Sequence, residues 1–190
     1  MLKNGMQNIP FQTKNLDLTY YPYYIFNSLY SYTKYLNIFE NKFEASEIIN
    51  GLYIGSIDSV YDIKTLKMLG ITHVISILPG FIPPYPDDFK YMVINAMDDE
   101  NTDLSSIFDD TNKFIDEAFE NVGNVLVHCM MGKSRSATIV ASYLINTFGM
   151  NVDEVLKLLK NKREIIQPNK YFEQQLRKYK KNLLNDENYL

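Results

Sequence analysis

The chain has 190 residues, 46% of them hydrophobic and 22% charged, with a formal net charge of −4. That balance fits one soluble folded domain, alone or with an extension, and argues against a general nucleic-acid binder, which carries a basic surface. The single cysteine excludes an intrachain disulfide and any cysteine-based zinc site, and it suits a reducing compartment.

Residues 1–44 read as a tyrosine-rich N-terminal extension, 45–184 as the main domain and 185–190 as a C-terminal tail. Seven tyrosines fall between Tyr20 and Tyr35, and Pro22 suits the first turn of a helix. Ile25, Leu29, Tyr32, Leu36 and Phe39 recur at alternating spacings of four and three, the stripe of an amphipathic helix. Tyr23, Tyr24, Phe26 and Tyr30 lie off that stripe. The expectation is a helix packed on its own domain. A homodimer or partner contact, and disorder with phosphorylatable tyrosines, are the alternatives. Asn27, Ser28, Ser31, Thr33, Lys34 and Asn37 interrupt the apolar run, so no membrane span is expected. With no signal peptide or lipidation motif, the cytosol, the nucleus or both are the expected compartments.

From residue 45 strands and helices alternate. Glu47 to Ile49 and Leu52 to Ile54 predict two short strands around the hairpin-type turn Asn50-Gly51. Asp62 to Leu69 predicts a helix stopped by Gly70. His73 to Leu78 and Tyr91 to Ala96 predict strands separated by a proline-rich loop. Ile107 to Asn121 predicts a helix capped by Ser105 or Ser106, with Phe108, Phe114, Ile115, Ala118 and Phe119 on its apolar side. Val125 to Val127 predicts a further strand. Helices are expected over Ser136 to Phe148, Val152 to Asn161 and Asn169 to about Leu184, with Gly149 as a C-cap. The pattern implies an α/β fold. A central, mostly parallel sheet of about five strands would have helices on both faces and a site beyond a strand's carboxyl end.

The segment His128-Cys129-Met130-Met131-Gly132-Lys133-Ser134-Arg135 holds the one cysteine, one of two histidines and one of three arginines. It follows the apolar run Val125-Leu126-Val127 and precedes a helical pattern. Arg135, a helix N-terminus and loop amides all favour a thiolate at Cys129. Amides of residues 130 to 135 can converge on the three oxygens of a phosphate, with Gly132 easing the turn. Met130, Met131, Gly132, Lys133, Ser134 and Arg135 are therefore the candidate substrate-binding residues. With lysines outnumbering arginines 16 to 3, Arg135 looks chosen for its planar fork, which grips two phosphate oxygens. Ser136 offers a hydroxyl to stabilise Cys129 as a leaving group. These features imply a cysteine-dependent phosphatase that needs no cofactor. One of Asp98, Asp99 and Glu100, which follow a strand, would supply the proton for the leaving oxygen.

His128-Cys129-x-x-Gly132-x-Ser134-Arg135-Ser136 resembles the signature of the dual-specificity protein phosphatases, a branch of the cysteine-based protein tyrosine phosphatases. The resemblance runs from about Glu47 to Tyr179. It includes Ile49-x-Gly51-Leu52-Tyr53-Ile54-Gly55, Gly70-Ile71-Thr72-His73-Val74-Ile75 and Arg163-x-Ile165-x-x-Pro168-Asn169-x-x-Phe172-x-x-Gln175-Leu176. It implies Cys129 as nucleophile, Arg135 as phosphate clamp, Asp98 as general acid and then base, and Ser136 as leaving-group helper. His128 would position the cysteine, and Pro168-Asn169 would brace the loop. It further implies an atypical, single-domain member acting on phosphoproteins through a phosphocysteine, on phosphotyrosine and on phosphoserine or phosphothreonine. The remaining alternatives are a non-catalytic phosphate-binding adaptor and a phosphatase for a non-protein phosphate ester.

Overall fold

A computed structural model of the chain describes residues 21–35 and 43–187. Strands β1 (Ala45–Ile49) and β2 (Leu52–Gly55) form an antiparallel hairpin across Asn50-Gly51. Gly51 has φ +80°, the left-handed conformation that such a turn demands. Strands β3 (Ile71–Ile77), β4 (Lys90–Ile94) and β5 (Asn124–His128) complete a five-stranded sheet of order β1-β2-β5-β3-β4. Every pairing after the first is parallel. The carboxyl ends of β2, β3, β4 and β5 therefore lie along one edge, with β5 in the middle.

Alternation along β5 builds two cores. Val125 and Val127 join one core, which is completed by α3 (Phe108–Glu120), α4 (Arg135–Phe148), α5 (Val152–Lys162) and α6 (Lys170–Glu187). Leu126 points the other way, to a core with Val74, Tyr61, Leu66, Phe81 and Phe89, roofed by α2 (Ile63–Met68) and a 3-10 turn at Ile57–Tyr61. Helix α4 is apolar nearly all round, and residues 135–145 are buried, as a helix enclosed by a sheet and other helices must be. A rigid element thus stands directly behind the loop that leaves β5. Gly149, at φ +64°, ends α4 as expected.

The expected strands and helices are present, with boundaries shifted by one to three residues. The cap of α3 differs. Neither Ser105 nor Ser106 caps it, because a 3-10 turn at Ser105–Ile107 leads into the helix and leaves Ile107 at the cap position. Asp103 instead accepts the Ser105 N–H at 2.9 Å and its hydroxyl at 2.6 Å.

Helix α1 (Tyr21–Tyr35) packs on its own domain, but through a face other than the expected stripe. Asn27 is fully buried and donates to the Pro79 carbonyl at 2.9 Å. Ser28 donates to the Gly80 carbonyl at 3.1 Å, and the Tyr30 hydroxyl to Asp58 at 3.0 Å. Ile25, Phe26, Leu29 and Tyr32 are exposed. The reason is backbone accounting. The Pro79-Gly80 turn after β3 presents carbonyls that need donors, and the polar side chains of α1 supply them. Leu36 and Phe39, the end of the expected stripe, lie outside the described residues. Among the described residues no helix is long and apolar enough to cross a membrane.

Candidate active site

The loop after β5 is held by its carbonyls. Met130 O accepts from the Ile57 N–H at 3.2 Å, Lys133 O from the Gln167 N–H at 2.9 Å and Ser134 O from the Thr138 N–H at 2.9 Å. Arg163, largely buried, donates to Met131 O at 3.0 Å and through Nε to Gly132 O at 2.9 Å. In a trans peptide the N–H points opposite to the C=O that precedes it. With these carbonyls bonded outward, the N–H groups of residues 131–135 face inward, which makes the nest that the sequence implied. Gly132 has φ +66°, and a Cβ there would lie 2.6 Å from the Gly55 carbonyl oxygen. The loop therefore needs glycine both for conformation and for its close approach to β2.

Cys129 sits at the floor of the nest, 2% exposed, with Sγ 3.3 Å from the Ser136 hydroxyl. Burial alone would raise its pKa. The Arg135 charge and hydrogen bonds from the Ser136 hydroxyl and the Ser136 and Lys133 N–H groups outweigh burial, and the thiol is held below its usual range. His128, beside it, is fully buried, with Nε2 2.7 Å from the Ser76 hydroxyl on β3. Burial pushes the imidazole down to about 4, and the Arg135 charge adds to that against the hydrogen bond with the Cys129 carbonyl. His128 is thus neutral near pH 7, a packing and positioning group beside the cysteine.

Arg135 opens α4 and is also buried. Its Nη1 donates to Ile77 O at 3.2 Å and Ala96 O at 3.0 Å, so the ends of β3 and of the segment after β4 fix the guanidinium. Its Nε is buried without a hydrogen-bond partner and makes only a long ion pair, 3.8 Å, with Asp98 Oδ2. An unsatisfied donor on a buried cation is costly, and a phosphate dianion in the nest would satisfy it.

The acidic triplet is divided by its hydrogen bonds. Asp98 Oδ1 accepts from the Ser134 hydroxyl at 2.7 Å and Asn169 Nδ2 at 2.8 Å, which ties it to the loop. Asp99 accepts from the N–H groups of Asn101 and Thr102, each at 3.0 Å, and shapes its own turn. Glu100 accepts from the Tyr171 hydroxyl. Cys129, Arg135, Asp98 and Ser136 converge, and the backbone of Met130 to Ser134 forms the rim. Met130 packs against the second core, and Met131 is 60% exposed.

Sequence reasoning missed three groups. Arg163 supports the loop from behind, and the scarcity of arginine was a usable signal for it. The Ser134 side chain, read only for its amide, carries a bond to Asp98. Ser76 holds His128, and nothing in a strand pattern marks one serine for that task. Among the described residues no group of three or more His, Cys, Asp and Glu is arranged to hold a metal ion.

This architecture and loop match a known family. The family model described as "Dual specificity phosphatase, catalytic domain" matches residues 52–182. Dual specificity protein phosphatase 1B of Arabidopsis thaliana is 43% identical over 140 residues, which span 74% of this chain and 84% of that protein. Dual specificity protein phosphatase 1 of the same plant is 41% identical over 138 residues, 73% of this chain and 70% of that protein. The human tyrosine phosphatase-like serine/threonine/tyrosine-interacting protein superposes with a TM-score of 0.71 at 32% identity, over 75% of this chain and 99% of that structure. The chain belongs to the dual-specificity phosphatase family and is a protein phosphatase of that class.

Proposed function

We propose that the chain hydrolyses phosphotyrosine and phosphoserine or phosphothreonine in proteins through a phosphocysteine intermediate, with Cys129 as nucleophile. The observation that carries this reading is the convergence on one nest of a buried cysteine held below its usual pKa, the Nε of Arg135 without a hydrogen-bond partner and the tethered carboxyl of Asp98. The Cys129 thiolate attacks phosphorus in line while Arg135 and the loop amides bind the three oxygens. The S–P bond forms as the P–O bond to the substrate breaks. The departing oxygen takes the proton from Asp98 and leaves as an alcohol or phenol. Water then attacks the phosphocysteine and gives a proton to Asp98. The S–P bond breaks, and the Ser136 hydroxyl, 3.3 Å from Sγ, stabilises the returning thiolate. Phosphate release from matched phosphotyrosine and phosphothreonine peptides tests the proposal. It is abolished by Cys129→Ser on both peptides if the reading is correct, and persists if it is wrong.

The reading extends to location and association. The cytosol or nucleus is the proposed compartment, supported by the lone cysteine. The exposed residues Ile25, Phe26, Leu29 and Tyr32 support α1 as a self-association surface. Light scattering would then give a lower mass for Phe26→Glu/Leu29→Glu than for wild type. A wild-type chain that is monomeric at every concentration contradicts it.

A further inference from the structure

Asn169 stands immediately before α6, and its side chain faces two ways. Its Oδ1 accepts the N–H groups of Tyr171 and Phe172, each at 3.0 Å, the bonding of a helix N-cap. With the oxygen of a planar amide turned to the helix, the nitrogen must point away from it. Nδ2 lies 2.8 Å from Asp98 Oδ1. The Asn169 N–H donates to Ser134 Oγ at 3.1 Å, and that hydroxyl, its acceptor side occupied, donates to the same Asp98 oxygen at 2.7 Å. Asp98, Ser134 and Asn169 thus close a ring in which the direction of each bond is determined.

Both donors land on Oδ1, while Oδ2 is the oxygen turned toward Arg135 Nε, 3.8 Å away. An oxygen that accepts two hydrogen bonds is the natural carbonyl oxygen of a carboxyl whenever that carboxyl holds a proton, which leaves Oδ2 as the oxygen free to carry it. The rest of α6 reinforces the geometry. Gln175 Oε1 accepts the N–H groups of Leu104 and Ser105 at 2.9 and 3.1 Å, and its Nε2 donates to the Thr102 carbonyl at 2.9 Å. Tyr171 donates to Glu100. The loop carrying Asp98 is therefore fastened to the first turns of one helix.

We propose that Asn169 is a positioning residue for the general acid: by capping α6 and donating to Oδ1, it presents Oδ2 of Asp98 as the oxygen that delivers the proton. This rests on the assignment of Asp98 as the acid, and the test separates the two claims. Serine is as good an N-cap as asparagine but places no N–H₂ on Asp98. Asn169→Ser should keep the wild-type Tm. Its turnover of a phosphothreonine peptide, whose alkoxide must be protonated, should fall by about tenfold, the worth of one positioning hydrogen bond. Turnover of 4-nitrophenyl phosphate, whose phenolate leaves readily, should fall by less than about threefold. In an Asp98→Asn background, Asn169→Ser should add no discrimination between the two substrates.

Asn169→Asp also keeps the cap, and it sets a second carboxylate against Asp98. The limb of the pH–rate profile that reports the acid should move to higher pH, because facing carboxylates share a proton. Equal losses on both substrates for Asn169→Ser, or an unshifted profile for Asn169→Asp, would overturn the positioning role and leave the acid assignment standing. If Asp98→Asn itself slows both substrates equally, the acid assignment falls, and the proposal with it.

Discussion

Ser76 on β3 and His128 on β5 share a hydrogen bond of 2.7 Å across neighbouring parallel strands, and both residues are fully buried. The bond joins the residue before the cysteine to the strand whose end holds Arg135, so the two charged partners of the nest rest on one frame. The imidazole is kept neutral there, which has a cost at low pH. Its pKa lies at about 4 in the fold against 6.5 ordinarily. Between those values the unfolded chain binds the proton and the folded chain does not. Stability is therefore full above pH 6.5 and declines as pH falls toward 4, by about 3 kcal/mol from this group. Urea denaturation at pH 7 and pH 4.5 should show a smaller difference for His128→Gln than for wild type. An identical pH dependence in both would contradict a buried neutral histidine.

Cys129 should ionise at a lower pH than an ordinary thiol, because the Arg135 charge and the hydrogen bonds to its sulfur outweigh its burial. Alkylation by iodoacetate follows the thiolate, so its rate should have a pH midpoint below that of free cysteine, about 8.5. Arg135→Met should raise the midpoint most, since the Arg135 charge is the largest favourable contribution, and Ser136→Ala should raise it less. The rising limb of the pH–kcat/KM profile should follow the alkylation midpoint in each variant. A wild-type midpoint at or above that of free cysteine would contradict the electrostatic account.

Arg163 is a support whose removal leaves two loop carbonyls without their buried donors. Arg163→Met should cost about 3 kcal/mol in denaturant unfolding, the sum expected for two unsatisfied groups. It should also weaken inhibition by inorganic phosphate, because the nest loses its shape. Arg163 additionally pairs with Glu44 at 2.5 Å, but that carboxylate is about half exposed. Glu44→Gln should therefore cost under about 1 kcal/mol. If both variants cost the same, the pair rather than the carbonyl contacts holds the loop.

Ser136 should matter in the second half of the reaction. Its hydroxyl reaches Sγ, so in the proposed mechanism it should help a thiolate leave more than it helps one attack. With 4-nitrophenyl phosphate, Ser136→Ala should show a burst of one nitrophenolate per chain followed by slow turnover. Slow turnover without a burst would place the serine in the first step instead.

Much of this molecule is legible in the chain because its signals are local. The alternation of apolar residues in β5, the glycine after α4 and the cysteine-to-arginine loop each announce themselves within a dozen residues. What was hidden depends on contacts between distant segments. Helix α1 turned its polar side inward because carbonyls some fifty positions away needed donors, a demand that no stripe within Ile25 to Phe39 encodes. Ser134 and Asn169 meet Asp98 only after three segments fold together, so spacing along the chain cannot show that Asp98, rather than Asp99, reaches the loop. The expected serine cap of α3 failed for a subtler reason. Asp103 competes for the same backbone, and its side chain satisfies the turn first.

The central claim is a covalent phosphate on Cys129. The most direct test is acid quenching during turnover of a ³²P-labelled phosphotyrosine peptide, followed by mass analysis of the fragment bearing residues 124–135. The account predicts phosphate on Cys129 in the wild type, more of it in Ser136→Ala and none in Cys129→Ser. Undiminished turnover with no labelled cysteine, or label on another residue, would contradict it.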